Sequence, residues 1–361
     1  MLLFLDAHQD IAWNMQQLGR DYRRPVAETR ALEVNHPNIV ETGNTLLGLP
    51  EYNQAGLAIV FGTLFALKSD PKNANEFHQG YHSIAEAHEQ YSSQMDFYQR
   101  YASENPDVFR LILSKTELRD HLALWREPSD TLKPVGLIIL MEGAEGIVSL
   151  DELPEWWARG VRTIGLAWQG NQYCGGTGQP GPLTPAGYDL IDAMAEIGFV
   201  LDISHMDEPA AFQCLERYPG QIVVSHANAS SLVKGYVGNR LLSDNLIKAL
   251  FERDAVIGVV PCNGFLNRDW LQDGGKAAVS LSKVAEQIDY LCQLAGDALH
   301  VGIGTDFDGG FGLEHVPAEI ETVADLPKLL PFLSCLGYSD NDQAAIASGN
   351  FLRVIESALP E

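Results

Sequence analysis

Histidines and carboxylates recur in this sequence directly after short apolar runs. The segments are Asp6-Ala7-His8-Gln9-Asp10, Met141-Glu142-Gly143, Asp202-Ile203-Ser204-His205, Ser225-His226 and Gly304-Thr305-Asp306-Phe307-Asp308. Imidazole and carboxylate together are ligands that suit zinc or a similar divalent ion. One histidine after a strand is usually an ordinary hydrogen-bonded group. Three histidines and two carboxylates in this repeated position favour a metal site.

The spacing of these residues predicts two neighbouring metal ions. His8 and Asp10 are two residues apart, so their side chains would share one face of a strand and reach one ion. His205 and His226 follow neighbouring runs and could converge on a second ion, with Glu142 bridging the two. Two metals about 3.5–4 Å apart can share a hydroxide that is nucleophilic near neutral pH. Asp306 is then the natural general base beside that hydroxide.

The remaining polar candidates are predicted to be structural. Asp308 precedes Gly309-Gly310 and is interpreted as a capping or turn residue. The other histidines fall on predicted helices, in loops or at a strand start; they are His36, His78, His82, His88, His121, His300 and His315.

Alternating strands and helices must position the candidate ligands. Apolar runs rich in Val, Ile and Leu, typical of parallel strands covered on both faces, occur at Leu2–Leu5, Leu57–Leu64, Val135–Leu140, Val161–Ala167, Phe199–Ile203, Ile222–Val224, Val256–Val260 and His300–Gly304. These eight runs predict a (β/α)8 TIM-type barrel, a single domain over residues 1–361, with its site at the carboxyl ends of the strands. A doubly wound open sheet is the alternative, but no G-x-G-x-x-G follows the first strand.

Helical patterns separate the apolar runs. They cover Asn75–Ser103, Leu150–Arg159 with Asp151 as its cap, Thr184–Ile197 ended by Gly198, Ser243–Arg253, Ser280–Leu294 and two short helices between Ser339 and Leu359. The polar segment of about residues 13–51 is predicted to be an insertion after the first strand that lies over the barrel mouth.

Composition excludes several classes of function. The formal net charge of −24 argues against binding nucleic acid or an anionic lipid surface. The 5 cysteines are widely spaced, without C-x-x-C, which fits a reducing compartment. The apolar start MLLFL is too short for a signal peptide, and no run approaches the length of a membrane span. We therefore expect a soluble cytoplasmic protein.

Taken together, the motifs resemble those of the membrane (renal) dipeptidases of the amidohydrolase superfamily. The resemblance covers nearly the whole chain and is carried by D-A-H-Q-D, L-M-E-G, D-I-S-H-M, V-V-S-H-A-N-A, N-R-L-L-S-D, V-G-I-G-T-D-F-D-G and G-N-F-L-R-V-I. It implies a binuclear zinc dipeptidase that uses a metal-bridging hydroxide and often accepts a D-residue at the C-terminal position. A homodimer is also the family expectation.

The resemblance also implies roles for individual residues. His8, Asp10 and bridging Glu142 would hold one zinc, and Glu142, His205 and His226 the other. Asp306 would be the catalytic acid and base. Arg240 matches an arginine that holds the substrate carboxylate, a task that suits the bidentate guanidinium.

Trp168 departs from the family pattern, which often has L-T-H where this chain has Leu166-Ala167-Trp168. Indole can donate a hydrogen bond but cannot titrate, so polarisation of the scissile carbonyl is expected to fall more on zinc, or on Trp168 or Asn171, which are the candidate substrate contacts. Side-chain specificity is expected in rim loops, including residues 262–270 with Asn263 and Phe265 as candidate contacts.

Two other functions remain as alternatives. The departure at Trp168 leaves open another amide or ester hydrolase on the same site, such as an N-acyl-amino-acid deacylase or a lactonase. A non-catalytic metal or peptide binder is the third possibility. Such a binder would be expected to lack a ligand or the general base, and none is missing from this sequence.

Overall fold

A closed barrel of parallel strands forms the centre of the computed structural model, which describes residues 2–69 and 80–361. The strands are β1 (Phe4–Gln9), β2 (Leu57–Phe65), β3 (Phe109–Leu111), β4 (Val135–Glu142), β5 (Val161–Gly165), β6 (Val200–Asp202), β7 (Ile222–Val224), β8 (Val256–Val259) and β9 (Val301–Ile303). Their order is β2-β1-β9-β8-β7-β6-β5-β4-β3, and a further pairing of β2 with β4 closes a ring of eight strands. The predicted TIM-type barrel is confirmed.

Two strands differ from the sequence-based prediction. The first strand is not Leu2–Leu5 but Phe4–Gln9, all buried, so His8 lies within it. The third, β3, was not predicted because it has three residues of which Phe109 alone is buried. It pairs with β4 on the outside of the ring and does not change the barrel.

Helices connect the strands along the chain and follow the last of them. They are α1 (Ile11–Trp13), α2 (Val26–Leu32), α3 (Pro37–Thr42), α4 (Leu49–Ala55), α5 (Ile84–Glu104), α6 (Lys115–Arg126), α7 (Leu153–Arg159), α8 (Pro185–Ile197), α9 (Glu208–Arg217), α10 (Asp244–Glu252), α11 (Ser282–Ala295), α12 (Leu329–Cys335), α13 (Asp340–Ala344) and α14 (Asn350–Ala358). Among the described residues no helix is both long and apolar enough to cross a membrane.

Capping side chains explain where several helices begin. The predicted helix over Thr184–Ile197 is α8, which Thr184 caps and which Gly198 ends in a left-handed conformation. The cap expected at Asp151 is wrong, because Ser149 accepts the Asp151 N–H at the start of a 3₁₀ turn before α7. The helix predicted from residue 75 begins at Ile84, where the Ser83 hydroxyl accepts the Glu86 N–H. Residues 75–79, including His78, lie outside the described residues.

The residues between β1 and β2 form helices α1 to α4 and a π-helical turn at Asn14–Leu18. This segment is tied to the loop after β9 through Asp308, which is fully buried. The Asp308 carboxylate accepts hydrogen bonds from the Tyr22 hydroxyl at 2.9 Å and the Leu46 N–H at 2.8 Å, and it pairs with Arg20 at 3.2 Å. Asp308 therefore does more than shape a turn, because it anchors residues before β2 to the loop that carries Asp306.

Candidate metal centre

The five residues predicted to bind metal meet at the carboxyl ends of four strands, and all are buried. His8 lies in β1 with Asp10 just beyond it, and Glu142 is the last residue of β4. His205 follows β6 and His226 follows β7. Since the strands are parallel, their carboxyl ends share one mouth of the barrel.

Glu142 lies between the two groups of ligands. Its Oε1 atom is 3.2 Å from His205 Nε2 and 3.5 Å from His226 Nε2. Its Oε2 atom is 3.4 Å from His8 Nε2, which is 3.9 Å from Asp10 Oδ1. One carboxylate oxygen thus faces each group, which is the arrangement expected of a bridging ligand.

The donor atoms fit divalent metal ions. Zinc bonds of 2.0–2.1 Å at tetrahedral angles place neighbouring donors about 3.3 Å apart. The distances between the donor atoms of Glu142, His8, Asp10, His205 and His226 given above, from 3.2 to 3.9 Å, span this value. His205 Nε2 and His226 Nε2 are 2.9 Å apart. His8 Nε2 is buried and has no hydrogen-bond partner within residues 2–69 and 80–361. Convergent imidazole nitrogens without partners are stabilised when a cation lies between them.

Side chains behind the histidines fix which ring nitrogen faces the centre. The Ser225 hydroxyl donates to Asp202 Oδ2 at 2.5 Å, so it accepts from His226 Nδ1 at 2.9 Å. Thr177 Oγ1 lies 2.9 Å from His205 Nδ1, and because its hydroxyl donates to the His205 carbonyl at 3.5 Å it can accept from Nδ1 as well. With Nδ1 carrying the proton, the Nε2 lone pairs point to the centre, as metal ligation requires.

Two further carboxylates, which the sequence analysis did not select, hold the strand ends together. Asp6 accepts hydrogen bonds from the N–H and the hydroxyl of Thr305, at 2.7 and 2.5 Å, and so joins β1 to the loop after β9. Asp202 accepts the Ser204 and Ser225 N–H groups at 3.0 and 2.9 Å. The sequence did contain an indication of both aspartates, because each precedes a predicted histidine ligand in D-A-H or D-I-S-H.

Burial shifts the titration of the ligand side chains. It lowers the pKa of His205 and of His226 well below the ordinary value. Burial also raises the pKa of Glu142 to about 8, and burial together with the nearby Glu142 charge raises that of Asp10 to about 7. Neutral imidazoles can bind a metal ion without first losing a proton. Burial disfavours the charged form of the two carboxylates, and a bound cation would offset this effect.

Asp306 lies at the edge of the metal centre. Its Oδ1 atom is 3.8 Å from His8 Nε2. Burial raises the pKa of Asp306 well above its usual range. Its backbone is left-handed, with φ of 57°, and His205 shares this conformation with φ of 66°. Such conformations are costly for residues other than glycine and concentrate at functional sites.

Arg240 is a buried cation beside this centre. Its Nη2 donates to the His226 carbonyl at 2.8 Å, and its guanidinium carbon lies 5.3 Å from the centroid of the Phe265 ring. Its Nε and Nη1 atoms are buried without a hydrogen-bond partner in the described part of the chain. The structure therefore leaves two donor atoms of Arg240 for another group.

Trp168 and Asn171 follow β5 but differ in their surroundings. The Trp168 ring is half-buried and its centroid lies 5.4 Å from that of His205. The Asn171 amide donates to Glu145 Oε1 at 2.9 Å and to the Leu166 carbonyl at 2.8 Å. Its oxygen accepts the Tyr173 and Cys174 N–H groups at 2.8 and 3.2 Å. Asn171 thus organises its own loop, and its contact with substrate stays a prediction.

Glu145 is a buried carboxylate near the centre that the sequence analysis missed. Besides Asn171, the Tyr91 hydroxyl donates to it at 3.3 Å. Burial raises the pKa of Glu145 to about 7. Its position three residues after Glu142 is the signal that could have indicated it.

The chain is similar to known proteins in family, in sequence and in structure. The profile described as Membrane dipeptidase (Peptidase family M19) matches residues 2–359. An uncharacterized protein in the pqqA 5' region of Klebsiella pneumoniae is 32% identical over 235 residues, which are 62% of this chain and 83% of that protein. Dipeptidase aclJ of Aspergillus oryzae is 31% identical over 175 residues, 48% of this chain and only 39% of the relative's length.

Solved structures share the fold over the whole chain. A metallo peptidase from Rhodobacter sphaeroides, liganded with a phosphinate mimic of the dipeptide L-Ala-D-Ala, has a TM-score of 0.77 at 20% identity and covers 99% of both chains. The probable dipeptidase PvdM of Pseudomonas aeruginosa has a TM-score of 0.79 at 20% identity, covering 99% of this chain and 96% of that one.

Proposed function

This chain belongs to the membrane dipeptidase family, peptidase family M19, and from that premise we propose that it is a binuclear zinc dipeptidase whose substrates include L-Xaa-D-Xaa dipeptides. The observation that supports two ions best is the position of Glu142, with one oxygen 3.2 Å from His205 Nε2 and the other 3.4 Å from His8 Nε2. His8, Asp10 and Glu142 would hold one ion, and Glu142, His205 and His226 the other.

Two zinc ions at these ligands would polarise the scissile carbonyl and lower the pKa of the attacking water. The protein contributes the proton transfers. Asp306 lies 3.8 Å from His8 Nε2, and burial raises its pKa, which favours the carboxyl form that carries a proton between the two transfers. It takes the proton of the attacking water and delivers it to the departing nitrogen, so the leaving group departs as a neutral amine.

Arg240 would restrict the substrate to dipeptides. Its free Nε and Nη1 atoms lie on different edges of the guanidinium, and either can form a bidentate pair with a carboxylate together with the second hydrogen of Nη2, the geometry that guanidinium groups favour. A carboxylate held beside His226 lies one residue from the bond that is cleaved. A longer peptide would place an amide there, which carries no charge and leaves the buried guanidinium unpaired.

The test is a ninhydrin assay of the zinc-loaded enzyme on matched dipeptides with an L- or a D-residue at the C-terminal position. Each dipeptide is compared with its C-terminal amide and its N-acetyl derivative. We expect hydrolysis of the free dipeptides, loss of hydrolysis on chelation, and its return with added zinc. The C-terminal amides should be poor substrates. No hydrolysis of any dipeptide by the metal-loaded protein would contradict the proposal, and cleavage of N-acyl-amino acids or lactones instead would favour the alternative hydrolase.

The cellular location is a separate proposal. We propose a reducing cytoplasm, and this is supported by the cysteines, which are all free: Cys174, Cys214, Cys262, Cys292 and Cys335. Fractionation of the native cells with an antibody against the chain tests it, and recovery of the protein outside the cytoplasm would contradict it.

A further inference from the structure

Three aromatic side chains form a continuous surface on one side of the metal centre. Trp13 follows β1, Phe65 ends β2 and Trp168 follows β5. The ring centroids of Trp13 and Phe65 are 6.5 Å apart, and those of Phe65 and Trp168 are 5.9 Å apart. Trp168 in turn lies 5.4 Å from the His205 ring. We call Trp13, Phe65 and Trp168 the aromatic wall.

The aromatic wall stands at the level of the metal ligands. Phe65 pairs in register with Glu142, the bridging residue, across the β2–β4 ladder. Phe65 and Trp168 are both half-buried, so part of each side chain is accessible. A group bound at the centre is therefore within reach of these rings.

The order of strands places the wall opposite Arg240. Around the closed ring, Phe65 and Trp168 flank β4, whereas Arg240 contacts the loops after β7 and β8. In the eight-stranded ring β8 is diametrically opposite β4. A dipeptide whose carboxylate is held by Arg240 must cross the centre, so its other end points toward the aromatic wall.

We propose that the aromatic wall is the subsite for the N-terminal residue of the dipeptide and selects large apolar or aromatic side chains there. This inference rests on the proposed dipeptidase function. Apolar side chains gain by leaving water, and aromatic pairs at these separations gain further from edge-to-face contact. A charged N-terminal side chain would lose its hydration against Trp168 and Phe65 without an ionic partner on the wall.

The test compares dipeptides that share one C-terminal residue and carry Phe, Leu, Ala or Glu at the N-terminus. For the zinc-loaded wild type we expect kcat/KM to fall in the order Phe, Leu, Ala, Glu. In Trp168→Ala the ratio of kcat/KM for Phe over Ala should fall about tenfold, because the substrate loses its largest contact. Phe65→Ala should lower the same ratio by a smaller factor, and this second variant keeps the test valid if Trp168→Ala folds poorly.

Phe265→Ala is the matched control, since Phe265 lies beside Arg240 on the opposite side of the centre. It should change kcat/KM for all four dipeptides by a similar factor and leave the Phe over Ala ratio unchanged. A wild type that cleaves these dipeptides without preferring Phe over Ala would overturn the inference, as would an unchanged ratio in both wall variants. Failure of the wild type to cleave any dipeptide would overturn the proposed function as well, so the two failures are distinguishable.

Discussion

The floor and the rim of the barrel mouth are built in different ways. The floor consists of His8, Asp10, Glu142, His205 and His226, and the rim consists of the aromatic wall and Arg240. Most floor residues are held from behind by hydrogen bonds near strand ends, as Thr63 holds Asp10, Ser225 holds His226 and Thr177 holds His205. Two of the four rim residues, Trp168 and Arg240, are on loops. The Trp168 side chain rests on ring contacts, and the Arg240 side chain rests on one hydrogen bond to the His226 carbonyl and on the Phe265 ring.

This difference separates the reaction from the choice of substrate. The ligands of two metal ions can be displaced by only a few tenths of an ångström before the geometry is lost. Each ligand of the floor therefore needs a rigid hydrogen-bonding partner behind it. The rim needs only to present a surface of suitable shape and charge. Changes in the floor should therefore affect metal binding or turnover, whereas changes in the rim should affect KM and selectivity.

The largest effect is expected for Asp306→Asn, which removes the acid and base at the edge of the floor. The amide cannot accept and return a proton, so kcat should fall about 10²–10⁴-fold while the metal content stays that of the wild type. Steady-state kinetics and elemental analysis of the same preparation measure both. Full activity, or loss of the metals, would contradict the role assigned to Asp306.

The next largest effect is expected at Asp308, which anchors residues before β2 to the loop that carries Asp306. Asp308→Asn removes the charge that pairs with buried Arg20 and replaces one acceptor oxygen of a buried carboxylate by an amide donor. Arg20 keeps its pair with Glu33 at 2.9 Å, so we expect a loss of about 1–3 kcal/mol. Thermal unfolding should show a fall of several degrees. Asp254→Asn is the matched control, because Asp254 also has a positive φ, of 55°, but its pair with Arg353 is exposed. The control should change stability by less than about 1 kcal/mol, and equal losses in both variants would contradict the account.

The hydrogen bonds that orient the metal-binding histidines can be tested without substituting a histidine. In Ser225→Ala the rings of His226 and His8 lose the hydroxyl that lies 2.9 and 3.4 Å from their Nδ1 atoms. We expect zinc affinity to fall about 10–100-fold, measured by competition with a chelator. Ser231→Ala serves as the control, since Ser231 bonds to Asp244 at an exposed position. Unchanged affinity in Ser225→Ala would show that the hydroxyl does not orient the ligands.

The smallest of these effects is expected in the rim. Arg240→Lys keeps the charge but loses the planar pair of donors, so KM for dipeptides should rise about tenfold while kcat changes little. The C-terminal amides, which lack the carboxylate, should be affected less. A fall in kcat with unchanged KM would place Arg240 in the reaction step and remove the distinction between floor and rim.

The sequence predicted the floor better than the rim for a physical reason. His8, Glu142, His205 and His226 each end an apolar run, and parallel strands in a barrel must present such ends at one mouth. Their meeting therefore follows from the fold class, which the structure confirms. Their roles as ligands stay a prediction, as do the roles of Asp306 and the rim residues.

What the sequence could not predict depends on contacts between distant loops. The anchoring of Tyr22 and Leu46 by Asp308 joins residues more than two hundred positions apart, and no local pattern encodes it. The same is true of the aromatic wall, in which Phe65 and Trp168 meet only because β2 and β5 flank β4. Asn171 was predicted as a substrate contact, but only the loop geometry reveals that its amide is fully used within the chain.

The central claim is that the floor holds two metal ions, and the metal content of the purified protein tests it most directly. Elemental analysis after reconstitution with zinc and removal of excess metal gives the number of ions per chain. The account predicts close to two zinc ions per chain, both removed by a chelator together with dipeptide hydrolysis. A protein that takes up no metal on reconstitution would contradict the ligand assignment and the mechanism built on it.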